Sequence, residues 1–309
     1  MLFQALDDKK DCIGIFAHGE LFFENLPENL TRTWSYSASV ENQDIEFAKI
    51  YANGMSLDAI CPEHLKGDYD KTSGKMKSFY KSFVAAKVSL DEHCFYDLVP
   101  KRHLLEFFSV KNEICDWVFE NHEKPKNHDF LAKIMKMTSD IAHQDFSIDA
   151  NELNRFLAEE RARSFRKRVL QGSRNVAYDV FGTVTGRLTV AKSSFPILTL
   201  DKKFRNIVKP SNDWLVEIDY NAAELRTLMG LSGTEQPMQD LHQWNVDNVY
   251  DNSITREQAK EKFFAWLYNP DSRDSKAEKF YSRDALIEKY YSEGVVTTPM
   301  GREIKVEAK

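Results

Sequence analysis

Arg256, Lys260, Phe264 and Tyr268 recur at every fourth position of one segment, a spacing that lines them along one side of a helix. Two cations followed by two aromatic rings match one extended ligand, a triphosphate first and then a sugar and base. A core-facing stripe is the competing reading. A core stripe would not contain both Arg256 and Lys260, and Phe263, Ala265, Trp266 and Leu267 supply a separate apolar face. A second group suits the same ligand from its phosphate end. Trp214-Leu-Val-Glu-Ile218 reads as a short buried strand, and alternation sends Val216 and Ile218 to one side, Glu217 and Asp219 to the other. Leu225, Leu228, Met229 and Leu231 follow at helical spacing, so Asp219 stands where a strand ends and a helix begins. A carboxylate on a rigid strand tip suits a hard cation such as Mg²⁺ holding a phosphate. Taken alone, an Asp at such a place is more often a turn former or a helix cap.

The helix under the stripe is marked at both ends. Thr255 and Gln258 have the spacing of a capping box, Glu257 suits the N-terminal dipole, and Asn269-Pro270 stops the helix after Tyr268. Upstream, Leu105, Phe108 and Val110, then Ile114, Val118 and Phe119, then Phe130, Leu131, Ile134, Met137 and Ile141 predict long amphipathic helices between 104 and about 170, with Glu123-Lys-Pro-Lys-Asn127 as an exposed connector. Near the start, Cys12–Phe16 and Glu20–Glu24 read as strands joined at Ala17-His-Gly19, a hairpin. From Ile45 onward helical spacing takes over.

At 309 residues the chain is long enough for two or three domains. No apolar run approaches a membrane span and the start lacks a signal-like core, so cytoplasm is the expected location and no membrane is expected among the partners. Cys12, Cys61, Cys94 and Cys115 lie scattered without a framework, as reduced thiols do. Cys61 with His64 and His93 with Cys94 are isolated pairs, and no zinc site is expected from them. The net charge of −6 argues against indiscriminate nucleic-acid binding, yet thirteen Lys/Arg face four Asp/Glu between Arg155 and Lys209. For a lone charge run a solvated helix face is the ordinary explanation.

Several segments occur in a telling order: Thr185-Gly-Arg-Leu-Thr189 with Pro196 and Arg205 behind it, Asp219-Tyr-Asn-Ala-Ala-Glu-Leu-Arg226, Asp240-Leu-His242, and the R-x-x-x-K-x-x-x-F-x-x-x-Y pattern of Arg256 to Tyr268. Together they resemble family A DNA polymerases, the bacterial DNA polymerase I-like group that includes many phage replicases. Thr298 with Gly301-Arg302 is similar to the threonine and Gly-Arg that follow the fingers in that family. The resemblance covers roughly residues 170 to 309, and several motifs in order are a stronger signal than one. It departs from the family in two places. Asn269-Pro270 follows Tyr268 where a glycine is usual, and no His-Asp pair follows Arg302 to act as the motif that brings the second metal-binding aspartate.

The resemblance implies an α+β right-hand polymerase with helical fingers and thumb and an incomplete palm. It implies a small N-terminal α/β region over 1–103 (at most a degenerate exonuclease), a thumb-like helical region over 104–175, palm over 176–235 and fingers over 236–309. Asp44-Ile-Glu46 has the letters of an exonuclease motif but opens a helical pattern, so no exonuclease activity is expected. The activity implied is template-directed addition of deoxynucleotides to a primer end, with two Mg²⁺ ions about 3.5–4 Å apart. Asp219 and Lys260 are the candidates for the chemical step, with Asp219 and the Tyr220 carbonyl as metal ligands and the second aspartate missing. Arg256, Lys260 and His242 would hold the triphosphate, Phe264 would lie under the sugar, Tyr268 near the templating base, and Glu224 would exclude a ribose 2′-hydroxyl. Thr185, Arg187, Arg205 and Arg302 would contact DNA, with Arg187 in the minor groove, while Arg226 braces the palm. Beside those residues the basic block, Arg161 to Arg174, becomes a phosphate track. The partners implied are primer–template DNA, deoxynucleoside triphosphates, and a second polypeptide or further segment completing the palm. Its strand Val296-Thr-Thr298 is expected to present an unpaired edge. Host cytoplasm is the location if the gene is phage-borne. The alternative is a non-catalytic DNA-binding relic.

Overall fold

His18 and Gly19 both adopt left-handed backbone angles, φ 51° and 78°, which a two-residue hairpin turn requires if its twist is to match the flanking strands. They join β2 (Ile15–Ala17) to β3 (Glu20–Phe22), and β1 (Phe3–Ala5) pairs antiparallel with the far side of β2. The expected hairpin is present. Its Cys12 and Ile13 fall outside the described residues of this computed structural model, which are 1–6, 14–40, 44–90, 92–144, 147–172, 174–192 and 194–306. A parallel pair, β4 (Arg32–Thr33) with β5 (Glu46–Phe47), leads into α1 (Ala48–Tyr51). The short helices α2 (Leu57–Ile60) and α4 (Phe95–Leu98) flank the 23-residue α3 (Glu63–Ala85).

The long helices follow as α5 (Lys101–Asn121), α6 (His128–Ala142) and α7 (Glu160–Gln171). Phe108 of α5 shares one core with Leu6, Phe16 and Met76, while Ile114 and Val118 share another with Tyr51 and Leu65. Helices α5 and α6 are thus built into the same cores as the N-terminal strands, while α7 packs in a separate core with Leu153, Phe195 and Phe204. β6 (Tyr178–Asp179) and β7 (Thr189–Val190) form a small antiparallel pair around the loop that holds Thr185 and Arg187. The chain divides into two compact units, Met1–Trp214 and Leu215–Lys309, so the expected boundary near 103 does not mark a division between them.

The second unit comprises α8 (Ala223–Leu231), α9 (Leu241–Asn248), α10 (Arg256–Tyr268), α11 (Ser275–Tyr281), α12 (Arg283–Tyr290) and a three-stranded antiparallel sheet of β8 (Tyr291–Ser292), β9 (Val295–Thr297) and β10 (Glu303–Lys305). Its core gathers Leu225, Met229, Leu241, Phe263, Trp266 and Tyr281. Two of the polar groups that line it are paired: the Trp266 indole donates to Glu278 at 3.1 Å and the Tyr250 hydroxyl to Asp274 at 3.0 Å. The chain is therefore mixed α+β, mostly helical, with sheets of at most three strands among the described residues. No helix among them is long and apolar enough to cross a membrane.

Three expectations are corrected. Trp214–Ile218 is not a strand, and it is solvent-exposed, with Val216 80% and Ile218 88% accessible. An apolar run needs a partner ladder before it becomes a strand, and no described segment pairs with it. Val296 and Thr297 do not present an edge, because β9 is the central strand, bonded to β8 and β10 of the same chain. Finally, Cys94 is disulfide-bonded, whereas Cys61 and Cys115 are free thiols. Spacing along a sequence carries no information about which thiols meet after folding.

Candidate functional site

The site is built on α10. Thr255 Oγ1 accepts from the Gln258 amide at 3.3 Å and the Gln258 side chain accepts from the Thr255 amide at 3.0 Å, so the capping box is closed as the sequence predicts. Ala259, Phe263 and Trp266 are buried and fix which side of the helix turns inward. That leaves Lys260 and Tyr268 exposed, and Arg256 and Phe264 half-buried. The Phe264 and Tyr268 rings lie nearly parallel, 8° apart with centroids 5.9 Å apart, an offset stack that holds both at one end of the stripe.

Residues from two other segments meet this stripe. Glu224, in the first turn of α8, accepts a hydrogen bond from the Tyr268 hydroxyl at 3.4 Å. His242, in the first turn of α9, places its ring 5.8 Å from that of Phe264. Its Nδ1 is buried without a hydrogen-bond partner. Burial pulls the His242 pKa down, and the charges of Arg256 and Lys260 push the same way against those of Asp240 and Glu224. The imidazole is therefore biased toward its neutral form beside two cations.

Arg256 is not solitary. Its Nη2 and Nε donate to Asp240 Oδ2 at 2.7 and 3.3 Å. Asp240 Oδ1 meanwhile accepts from the His242 and Gln243 amides, both at 2.9 Å, as the N-cap of α9. The Arg256 hydrogen bonds and the two amides hold the Asp240 carboxyl down at about 2. Sequence reasoning assigned a role to His242 and none to Asp240. The signal was present, because an Asp directly before an apolar-periodic segment is an N-cap, but its second contact depends on how α9 and α10 pack. Arg226 donates to the carbonyls of Asn221 at 2.9 Å and Pro237 at 3.2 Å, tying together the segments on either side of α8.

Asp219 and Tyr220 stand apart from this cluster. They lie in the exposed stretch that precedes α8, and the N-cap of α8 is Ala222 in a left-handed conformation, so Asp219 is not a helix cap. Among the described residues no group of three His, Cys, Asp or Glu side chains could hold a metal ion. One carboxylate and one carbonyl are too few oxygens for two divalent ions, which take six or more ligands each. The two-ion site does not fit the residues present.

The DNA-contact candidates divide between the units. Arg302 belongs to the second, in a turn where its amide donates to Thr298 Oγ1 at 3.0 Å and its carbonyl accepts from the Thr298 amide at 2.8 Å. In the first unit Gly186 has φ 83°, and Thr183 Oγ1 donates to the Arg187 carbonyl at 2.8 Å, fixing a tight loop on which Thr185 and Arg187 are exposed. The loop is seated by Phe181, whose ring fills the space above Gly54. Arg205 is exposed on a short 3₁₀ turn, Lys202–Ile207. Helix α7 buries Ala162 and Val169 and exposes Arg161, Arg163, Lys167 and Arg168, so the basic block is one face of an amphipathic helix. No family model, curated protein or solved structure matches this chain.

Proposed function

We propose that residues 215–309 form the nucleotide-binding part of a template-directed DNA polymerase of the family A type. In this reading the chain supplies the fingers and part of the palm of a right-hand fold. The observation that carries it is the convergence of Glu224, His242, Phe264 and Tyr268, drawn from three separate segments, on the side of α10 that also bears Arg256 and Lys260. Core formation accounts for Phe264, which packs against the core of Phe263 and Trp266, but not for Glu224, Arg256 and Lys260, which lie outside that core. A deoxynucleoside triphosphate laid along α10 would meet guanidinium and ammonium charge at its phosphates and aromatic rings at its sugar and base. Glu224, tied to Tyr268 at the ring end, would crowd a 2′-hydroxyl. In the first unit, the Arg187 loop and the exposed face of α7 offer donors for the phosphates of a primer–template.

Because Asp219 alone cannot hold two ions, the proposal includes a further acidic segment, in a longer chain or a second polypeptide, and the chemical step depends on it. A second reading, a DNA-binding protein without catalysis, is favoured by one observation: the lack of any metal-competent cluster among the described residues. Primer extension with Mg²⁺ and all four deoxynucleotides separates the two. The chain is assayed alone, with any polypeptide encoded immediately downstream, and as Asp219→Ala. Extension in the combined sample, lost in the variant, supports the polymerase. DNA binding without extension in either sample supports the second reading.

A further inference from the structure

The geometry points to Asp240 as the positioning residue of the triphosphate corner, the group that locks Arg256 and His242 into one anion-binding unit. The inference rests on the nucleotide-site reading given above. Its basis is the division of labour between the two carboxylate oxygens. Oδ1 is committed to α9, through the amides of His242 and Gln243. Oδ2 is committed to α10, through Nε and Nη2 of Arg256. A single side chain thereby sets the register between the first turns of the two helices that carry the phosphate-binding candidates. Only one edge of the guanidinium is used. The other, with Nη1, makes only a long ion pair of 3.6 Å with the exposed Glu257, beyond hydrogen-bond range, which an incoming phosphate can displace.

A second observation marks this corner as a ligand site and not merely a helix contact. His242 is 6% exposed, yet its Nδ1 has no hydrogen-bond partner, and buried polar atoms of that kind call for one. Lys260, one turn beyond Arg256, is exposed, and no ion pair among the described residues engages it. A guanidinium edge, a lysine and, in the tautomer protonated at Nδ1, an imidazole N–H suit a polyphosphate, whose oxygens accept from all three. Coulomb attraction taken alone predicts the opposite role for Asp240: a negative charge beside Arg256 would repel an incoming anion, so its removal would tighten binding. Orientation and charge therefore predict changes of opposite sign.

The test is binding of inorganic tripolyphosphate and of thymidine to the full chain by calorimetry, in the parent, Asp240→Asn, Arg256→Lys and the double variant. Asparagine is as good an N-cap as aspartate, so Asp240→Asn keeps α9, and circular dichroism checks that it does. The expected result is about tenfold weaker tripolyphosphate binding in Asp240→Asn, with thymidine binding unchanged. Arg256→Lys weakens tripolyphosphate similarly, and the double variant is little worse than either single one. Tighter or equal tripolyphosphate binding by Asp240→Asn overturns the proposal and leaves the site intact. So does additivity in the double variant, since the two groups would then act separately. Failure of the parent to bind tripolyphosphate overturns the nucleotide-site reading and this proposal with it.

Discussion

Glu224 and Tyr268 are 44 residues apart in sequence and share a hydrogen bond of 3.4 Å at the aromatic end of the stripe. If that end receives the sugar, the carboxylate occupies the volume a 2′-hydroxyl would need. Glu224→Ala should then narrow the preference for deoxyadenosine over adenosine triphosphate by about tenfold, the scale at which a pocket discriminates one small group. Competition binding measures it, and an unchanged ratio would remove Glu224 from the site. His242 supports a prediction in pH. Burial first, then the Arg256 and Lys260 charges, set its folded pKa below the ordinary 6.5, against Asp240 and Glu224. On acidification the unfolded chain takes up this proton before the folded chain does, so stability is constant above about pH 6.5 and declines below it. Urea midpoints at pH 7.5 and 5.5 should fall further apart in the parent than in His242→Gln. Equal pH slopes would mean that the imidazole is not held neutral.

At the scale of elements, α10 depends on its cap because little else specifies where it starts. Thr255→Ala should cost about 1 kcal/mol in urea unfolding, while Thr255→Ser costs a few tenths at most; equal losses in the two would deny the hydroxyl its role. The Arg187 loop depends on a different contact. Gly54 has φ +79°, and a Cβ there would lie 2.1 Å from the Phe181 ring. Gly54→Ala should therefore destabilise by about 2–4 kcal/mol, from overpacking and left-handed strain together. Adding Phe181→Ala should recover the overpacking part alone, and a double variant no more stable than Gly54→Ala would argue against that contact. These two elements differ in how legible they were. The α10 cap is local, with donor and acceptor three residues apart, and the sequence states it outright. Phe181 meets Gly54 from 127 positions away in the chain, and nothing in either neighbourhood names the other.

Across the whole molecule the same distinction separates what the sequence announced from what it concealed. The hairpin around His18-Gly19, the long helices after 101 and the stripe on α10 are set by periodicity and turn chemistry, which act over a few residues. Asp240's grip on Arg256 and the Cys94 disulfide depend on long-range packing, which local spacing does not encode. Trp214–Ile218 failed in the other direction. Its composition states a buried strand, and only a partner strand could make it one. Residues 211–221 are all exposed, and the division between the two units falls inside them. Their backbone lacks the hydrogen-bonded ladder that resists a protease, and exposed unpaired backbone is cut first. Limited chymotrypsin digestion should therefore cleave first after Trp214, Leu215 or Tyr220, leaving a large N-terminal and a small C-terminal fragment that each resist further cutting. Initial cleavage elsewhere, for instance after the exposed Tyr80 on α3, would contradict this account of the segment. If a completing polypeptide supplies the missing ladder, adding it should slow the cut at 214–220 while cleavage at other sites proceeds unchanged. Protection there would identify this stretch as the strand of an unfinished sheet. Unaltered cleavage in the presence of a polypeptide that restores primer extension would mean that the palm is completed by some other surface.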